Sequence, residues 1–239
     1  SGAALAAVNG SLEIHPRRAF GLGLIFRSML GTHRRRSVLS VVLMSAQAFL
    51  YNAVFFTYGL ILERFYHVPD EHIGLYMMTL AIGNLTGPLL LGPLFDTVGR
   101  RRMIAGTFML SALLLLATAA LFGAGLLSAV TQTAAWMIIF FFASAAASSA
   151  YLTASEIFPL EVRALAIACA YAAGTALGGS LSPLLFGWLI GSGDRWHVAA
   201  GYALAALLLA GAGATEIVLG VDAEGRALEA ISEPLASVP

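Results

Sequence analysis

Gly92-Pro93-Leu94-Phe95-Asp96-Thr97-Val98-Gly99-Arg100-Arg101-Arg102 is the stretch that decides the fold. The runs on either side of its charged middle, about 73–95 and 103–122, are apolar and carry no charged side chain. Each has the roughly 20 residues that a helix needs to cross a hydrocarbon core. Residues 96–102 are too few for a domain but enough for a tight turn between two membrane helices, with Gly99 free to take a positive φ. Asp96 ends one helix and Arg100 begins the next, within salt-bridge reach. Simple positive anchoring of a membrane loop explains the three arginines but not the aspartate, the glycine or their spacing.

Outward from this turn, four more runs of spanning length occur at about 37–62, 132–155, 164–190 and 197–219, giving six spans. Only the last contains a carboxylate, Glu216, placed near its end where it is expected to reach the interface. Apolar residues surround each run instead of forming one stripe, which argues against the surface helices of a soluble bundle. The whole composition agrees: 59% of the 239 residues are hydrophobic and 11% charged, with mean hydropathy +0.85. A soluble domain is nearer half apolar and a quarter charged.

All 13 basic residues are arginine and are balanced by 13 acids, so no net field would recruit nucleic acid. Their placement sets the orientation, because cytoplasmic loops are enriched in Arg and Lys. With the first 36 residues inside, eleven arginines are cytoplasmic and only Arg64 and Arg195 lie outside. Six spans then put both termini in the cytoplasm. The chain divides into a cytoplasmic segment 1–36, a transmembrane domain 37–219 and a cytoplasmic tail 220–239. Segment 16–36 mixes Arg with Phe and Leu and reads either as a basic amphipathic helix on the inner leaflet or as a solvated linker. The start at Ser1-Gly2 and the lack of a signal peptide read as a beginning inside a longer protein.

The second span carries Gly83-Asn84-Leu85-Thr86-Gly87-Pro88 and the fifth Gly174-Thr175-Ala176-Leu177-Gly178-Gly179. Each holds a small-xxx-small pair that permits close helix contact. Spans two and five therefore look like counterparts in two three-helix repeats, inverted because each repeat has an odd number of spans. Pro88, Pro93 and Pro183 are expected to bend these helices.

After span four comes Ser155-Glu156-Ile157-Phe158-Pro159-Leu160-Glu161-Val162-Arg163. Pro159 ends the helix, and Glu156 and Arg163 fall on the same side of the membrane as Asp96 and Arg100. Together these two turns resemble two signatures of the major facilitator superfamily. The first is similar to its G-x-L-x-D-x-x-G-R-R loop, the second to the E-x-F-P-x-x-x-R element of its sugar porter branch. The resemblance implies an all-α membrane protein of six transmembrane helices in two inverted three-helix repeats, the C-terminal half of a secondary transporter. It implies a cytoplasmic gating network of Asp96, Gly99, Arg100, Arg101, Glu156 and Arg163.

The resemblance extends into the spans. Gln47 and Asn52 match the second glutamine and the asparagine of the family's Q-Q-x-x-G-x-N element, and Asn84 precedes Asp96 by the family's interval. The tail Asp222-Ala223-Glu224-Gly225-Arg226 is similar to the family's ending. These amides, with Tyr51, Tyr58 and Tyr151, are the expected substrate contacts, since neutral amides offer donors and acceptors without the cost of a buried charge. Interhelical bonding is the alternative role for each amide, and aromatic packing for each tyrosine. Ala46, the Ala147-Ser148-Ser149-Ala150-Tyr151 segment and Gly174 depart from the family pattern and remove much of its hexose cage. Sugar, organic acid, aromatic acid and other small metabolites stay open as substrates.

No Asp, Glu, His, Lys or Arg lies at mid-depth, so any coupling proton is expected to bind in an N-terminal six-helix half. No catalytic fingerprint occurs, and neither a cofactor nor a metal is expected. The competing reading is an orphan half-transporter acting as a structural or regulatory membrane protein or as a homodimer.

Overall fold

The computed structural model describes residues 29–221. The predicted segment 1–36 up to residue 28, and the predicted tail from residue 222, lie outside the described residues, as do the side chains of Glu156, Leu160 and Glu161. No strand occurs among the described residues. The helices are α1 (Arg34–Phe55), α2 (Tyr58–Tyr66), α3 (Asp70–Thr97), α4 (Arg100–Gly123), α5 (Ala129–Ile157), α6 (Leu160–Gly174), a π-helical turn (Thr175–Gly179), α7 (Leu181–Gly191) and α8 (Arg195–Leu219). Six helical segments are long and apolar enough to cross a membrane, with α6, the π turn and α7 acting as one.

The expected first span, 37–62, is broken. Phe56 and Thr57 separate α1 from α2, with no proline or glycine at the break. The Thr57 hydroxyl donates back to the Ala53 carbonyl, a local bond that competes with helix continuation and bends the axis. Pro88 and Pro93, by contrast, sit inside a continuous α3. Pro183 acts differently: a proline ring crowds the carbonyl four residues earlier, here at Gly179. The chain accommodates it with the π turn immediately before, closed by Ser180 N–H donating to the Thr175 carbonyl at 3.0 Å.

Packing follows the two repeats. The second span (α3) lies against the fourth (α5), and the fifth (α6 to α7) against the first (α1). The third and sixth (α4 and α8) form the most extensive pair. Exchanging spans one, two and three with four, five and six swaps the first two of these packings and maps the third onto itself. The glycine pairs explain the close approaches. A Cβ at Gly83 or Gly87 would overlap the carbonyl oxygens of Met137 or Phe141 on α5, and one at Gly178 would overlap that of Ser45 on α1. Backbones meet there only because no side chain intervenes.

The core is centred on Tyr58, Phe108, Phe122, Trp136, Phe140, Phe186 and Tyr202, all fully buried. Spans two and five are the least buried of the six. They present Leu75, Met78, Leu85, Leu89, Leu177, Leu184 and Trp188 outward.

Candidate functional site

Gln47 and Tyr51 lie at i and i+4 of α1 and so share one face, whereas Asn52, one residue on, is turned away from it. That face meets α3 and α5, which bring two of the expected partners to it. Gln47 Nε2 donates to the Tyr151 hydroxyl at 3.0 Å, and the Tyr51 hydroxyl donates to Asn84 Oδ1 at 2.6 Å. All four side chains are half-buried, neither sealed in the core nor fully open. Gln47 Oε1 is buried and has no hydrogen-bond partner. An isolated buried acceptor is costly, so it is suited to a donor supplied from outside the chain. Tyr51 is also fixed by Phe55, stacked at 5.8 Å, and by Phe140, edge-on at 5.0 Å.

Asn52 is turned differently. Its Nδ2 donates to the Ala48 carbonyl of its own helix at 2.7 Å. It faces Gly179 of the π turn, where a Cβ would approach Nδ2 to 3.2 Å. Tyr58 is not brought to this cluster: it is fully buried, its hydroxyl shares a 2.6 Å bond with Thr133 Oγ1, and its ring stands edge-on to Trp136. Tyr171 on α6 joins the cluster without having been singled out, its ring 6.1 Å from that of Tyr151 and half exposed. Its position beside the π turn gives no signal in a single sequence.

The Arg-rich end of the bundle carries the second set. Gly99 has φ 109°, the positive value expected of the turn. The carboxylate of Asp96, 68% exposed, lies 3.4 Å from the guanidinium of Arg100, 12% exposed. Arg163 Nε donates to the Phe158 carbonyl at 3.3 Å and braces the turn around Pro159. Arg101 donates to the Ile217 carbonyl and thereby ties α4 to α8. Arg36, not among the predicted gating residues, donates to the Ile157 carbonyl from the start of α1. Glu156 reaches this end on α5, and its side chain lies outside the described residues.

Glu216, expected near the interface, stands three residues from the end of α8 and is fully buried, because it lies on the side of α8 that packs on α4. A Cβ at Gly220 would meet both its Oε1 and Arg101 Cγ, so the glycine leaves the room this carboxylate occupies.

At the opposite end, an open groove of about 590 Å³ runs between the start of α3 and the start of α5. Tyr66, His67, His72, Tyr76 and Thr79 supply its polar lining. Among the described residues no group of three or more His, Cys, Asp or Glu could hold a metal ion.

Comparison with known proteins adds a family. Residues 16–233 match the family described as sugar (and other) transporter. No curated protein matches the chain significantly.

Proposed function

The chain belongs to the sugar (and other) transporter family, a multi-pass membrane transporter and not an enzyme, and from that premise we propose that it forms the C-terminal half of a secondary active carrier. Its partner is an N-terminal six-helix half, and the two rock about a shared site near the midplane to give alternating access. Residues 37–219 form the transmembrane domain, in the cytoplasmic membrane with both ends of the chain inside. The cargo is a small metabolite, and any coupling proton binds in the partner half.

One observation carries this reading. Gln47, Tyr51, Asn84 and Tyr151, from three spans, form a half-buried polar cluster, and one of its acceptors has no partner. Polar side chains at membrane depth are costly unless they bond one another or a ligand. Gln47 with Tyr151 presents an acceptor and a hydroxyl to the cargo, and Asn84 keeps its amide NH₂ available while its carbonyl holds Tyr51. Asn52 contributes its carbonyl oxygen. Tyr58 acts from behind, holding α2 to α5 and not touching cargo.

At the cytoplasmic end Asp96, Gly99, Arg100, Arg101, Glu156 and Arg163 make the latch. Asp96 is mostly in solvent, and a surface pair of this kind contributes only about 0–1 kcal/mol. A weak pair suits a contact that must open in every transport cycle.

The test is uptake into vesicles by this chain co-expressed with a six-helix N-terminal half. Gln47→Ala is expected to raise KM about tenfold, the loss of one or two good hydrogen bonds. Asn84→Ala is expected to act in the same direction. Unaltered KM and maximal rate in both variants would sink the assignment.

A further inference from the structure

Tyr66 on α2, Phe122 on α4, Gln132 and Trp136 on α5, and Arg195 and Tyr202 on α8 close a ring of contacts at the end of the bundle opposite the Arg-rich one. The Arg195 guanidinium lies 5.1 Å from the Tyr66 ring centre and 5.2 Å from that of Phe122. The Tyr66 hydroxyl donates to Gln132 Oε1 at 2.5 Å. Trp136 stands one turn beyond Gln132 on the same face of α5, and its ring centre is 5.0 Å from that of Tyr202. Tyr202 in turn lies 6.0 Å from Phe122, which completes the ring. Phe122, Gln132, Trp136 and Tyr202 are all fully buried.

The groups that this ring leaves unmet are donors. Arg195 Nη2 donates to the Phe65 carbonyl at 2.8 Å, whereas Nη1 is buried and has no partner. Gln132 Nε2, Trp136 Nε1 and the Tyr202 hydroxyl are likewise buried and unpartnered. Gln132 Oε1 is already taken by Tyr66, so the only free side-chain acceptor in the ring is the Tyr202 oxygen itself. Among the described residues no carboxylate pairs with Arg195. Aromatic faces offset part of the cost of burying a guanidinium, but they do not cancel its charge. A water molecule accepts about two hydrogen bonds and brings two protons of its own, which this ring is poorly equipped to receive. An anion accepts from every donor and neutralises the cation.

We propose that the ring is a binding site for a monovalent anion of halide size, held by Arg195 Nη1, Gln132 Nε2, Trp136 Nε1 and the Tyr202 hydroxyl. Its route from the aqueous phase is the open groove of about 590 Å³, whose wall Tyr66 shares. The bound anion joins α5 to α8 through groups that otherwise repel or stay unpaired. The inference does not depend on what the cargo is.

Bromide is the probe, because a heavy halide in contact with indole quenches its fluorescence. Trp188 and Trp196, both exposed, are replaced by phenylalanine so that Trp136 alone reports. Sodium bromide then replaces sodium gluconate at constant ionic strength, with the 239-residue chain in lipid nanodiscs. Quenching of Trp136 is expected to saturate, since a fully buried indole is reached only through a site. Tyr202→Phe removes one hydroxyl and keeps the ring, and is expected to raise the half-saturating bromide concentration about tenfold, as for the loss of one hydrogen bond to a charged partner. Arg195→Gln removes the charge and is expected to abolish saturation. Tyr202→Phe carries the test if the glutamine variant fails to fold. An unquenched parent, as for water in the ring, overturns the site, and so does quenching that rises linearly with bromide. Half-saturation in Tyr202→Phe at the parent concentration overturns it as well.

Discussion

His33 stands just before α1, its ring edge-on to Phe158 at 6.3 Å, between the first span and the turn after the fourth. Burial, and after it the neighbouring Arg36 charge, lower the pKa of its imidazole. The unfolded chain has the ordinary value of about 6.5, so folding favours the neutral ring. The stability this contributes is present above that value and is lost as pH falls through the lower, folded one. Thermal melts in nanodiscs at pH 7 and pH 5 are expected to show a drop that His33→Gln reduces. Equal drops in parent and variant would mean that the imidazole is not a source. The residue scale is also where sequence reading was uneven. Gln47, Tyr51, Asn84 and Tyr151 do meet, because helical spacing and family motif both point to one face. Tyr58 does not join them: two turns past Tyr51 on an unbroken helix it would have kept to the same face, but beyond the break at Thr57 it lies in the core. Glu216 read as interfacial from its distance to the end of the run, whereas its burial depends on which side of α8 faces α4. No count along the chain reveals that side.

At the scale of elements, glycine positions separate contact from mere flexibility. Gly83 and Gly178 occupy matching close approaches, α3 on α5 and the π turn on α1. Gly187, also within the fifth span, has open space where a Cβ would lie. Gly83→Ala and Gly178→Ala are therefore expected to destabilise the bundle by about 1–3 kcal/mol each, as overpacked cores do. Gly187→Ala should be neutral or stabilise by about 0.4–1 kcal/mol through the unfolded chain. Reversible unfolding in mixed micelles reads all three, and a similar cost at all three sites would contradict close packing as the reason. The six spans were legible because length and hydropathy alone determine them. The two irregularities were not. A threonine back-bond at 57 and a π turn ahead of Pro183 arise from local competition for backbone carbonyls, and similar threonines and prolines elsewhere in the chain leave helices intact, as Pro88 and Pro93 show.

At the scale of the whole molecule, the exchange of one three-helix repeat for the other accounts for what is left unburied. Spans one and four are enclosed by their neighbours, spans three and six pair extensively, and spans two and five occupy equivalent margins with apolar outer faces. Lipid satisfies such faces as well as protein does, so hydrophobicity alone does not assign them a partner. Their symmetry does more: two equivalent apolar margins suit a second body of the same architecture. A six-helix N-terminal half meets that description, and so does a second copy of this chain, the alternative reading. Cysteines placed at Leu89 and Leu184 in a Cys169→Ser background distinguish them. With nitroxides attached to both cysteines and the chain alone in liposomes, oxygen dissolved in the lipid is expected to relax both labels freely, and no saturable uptake should occur. Co-expression with a six-helix N-terminal half should protect both labels from oxygen and bring uptake with it, since an interface well beyond about 1,000 Å² would cover both margins. Protection that appears in the chain alone and increases with its density in the membrane would favour the homodimer. Saturable uptake by the purified chain alone would remove the need for a partner half altogether.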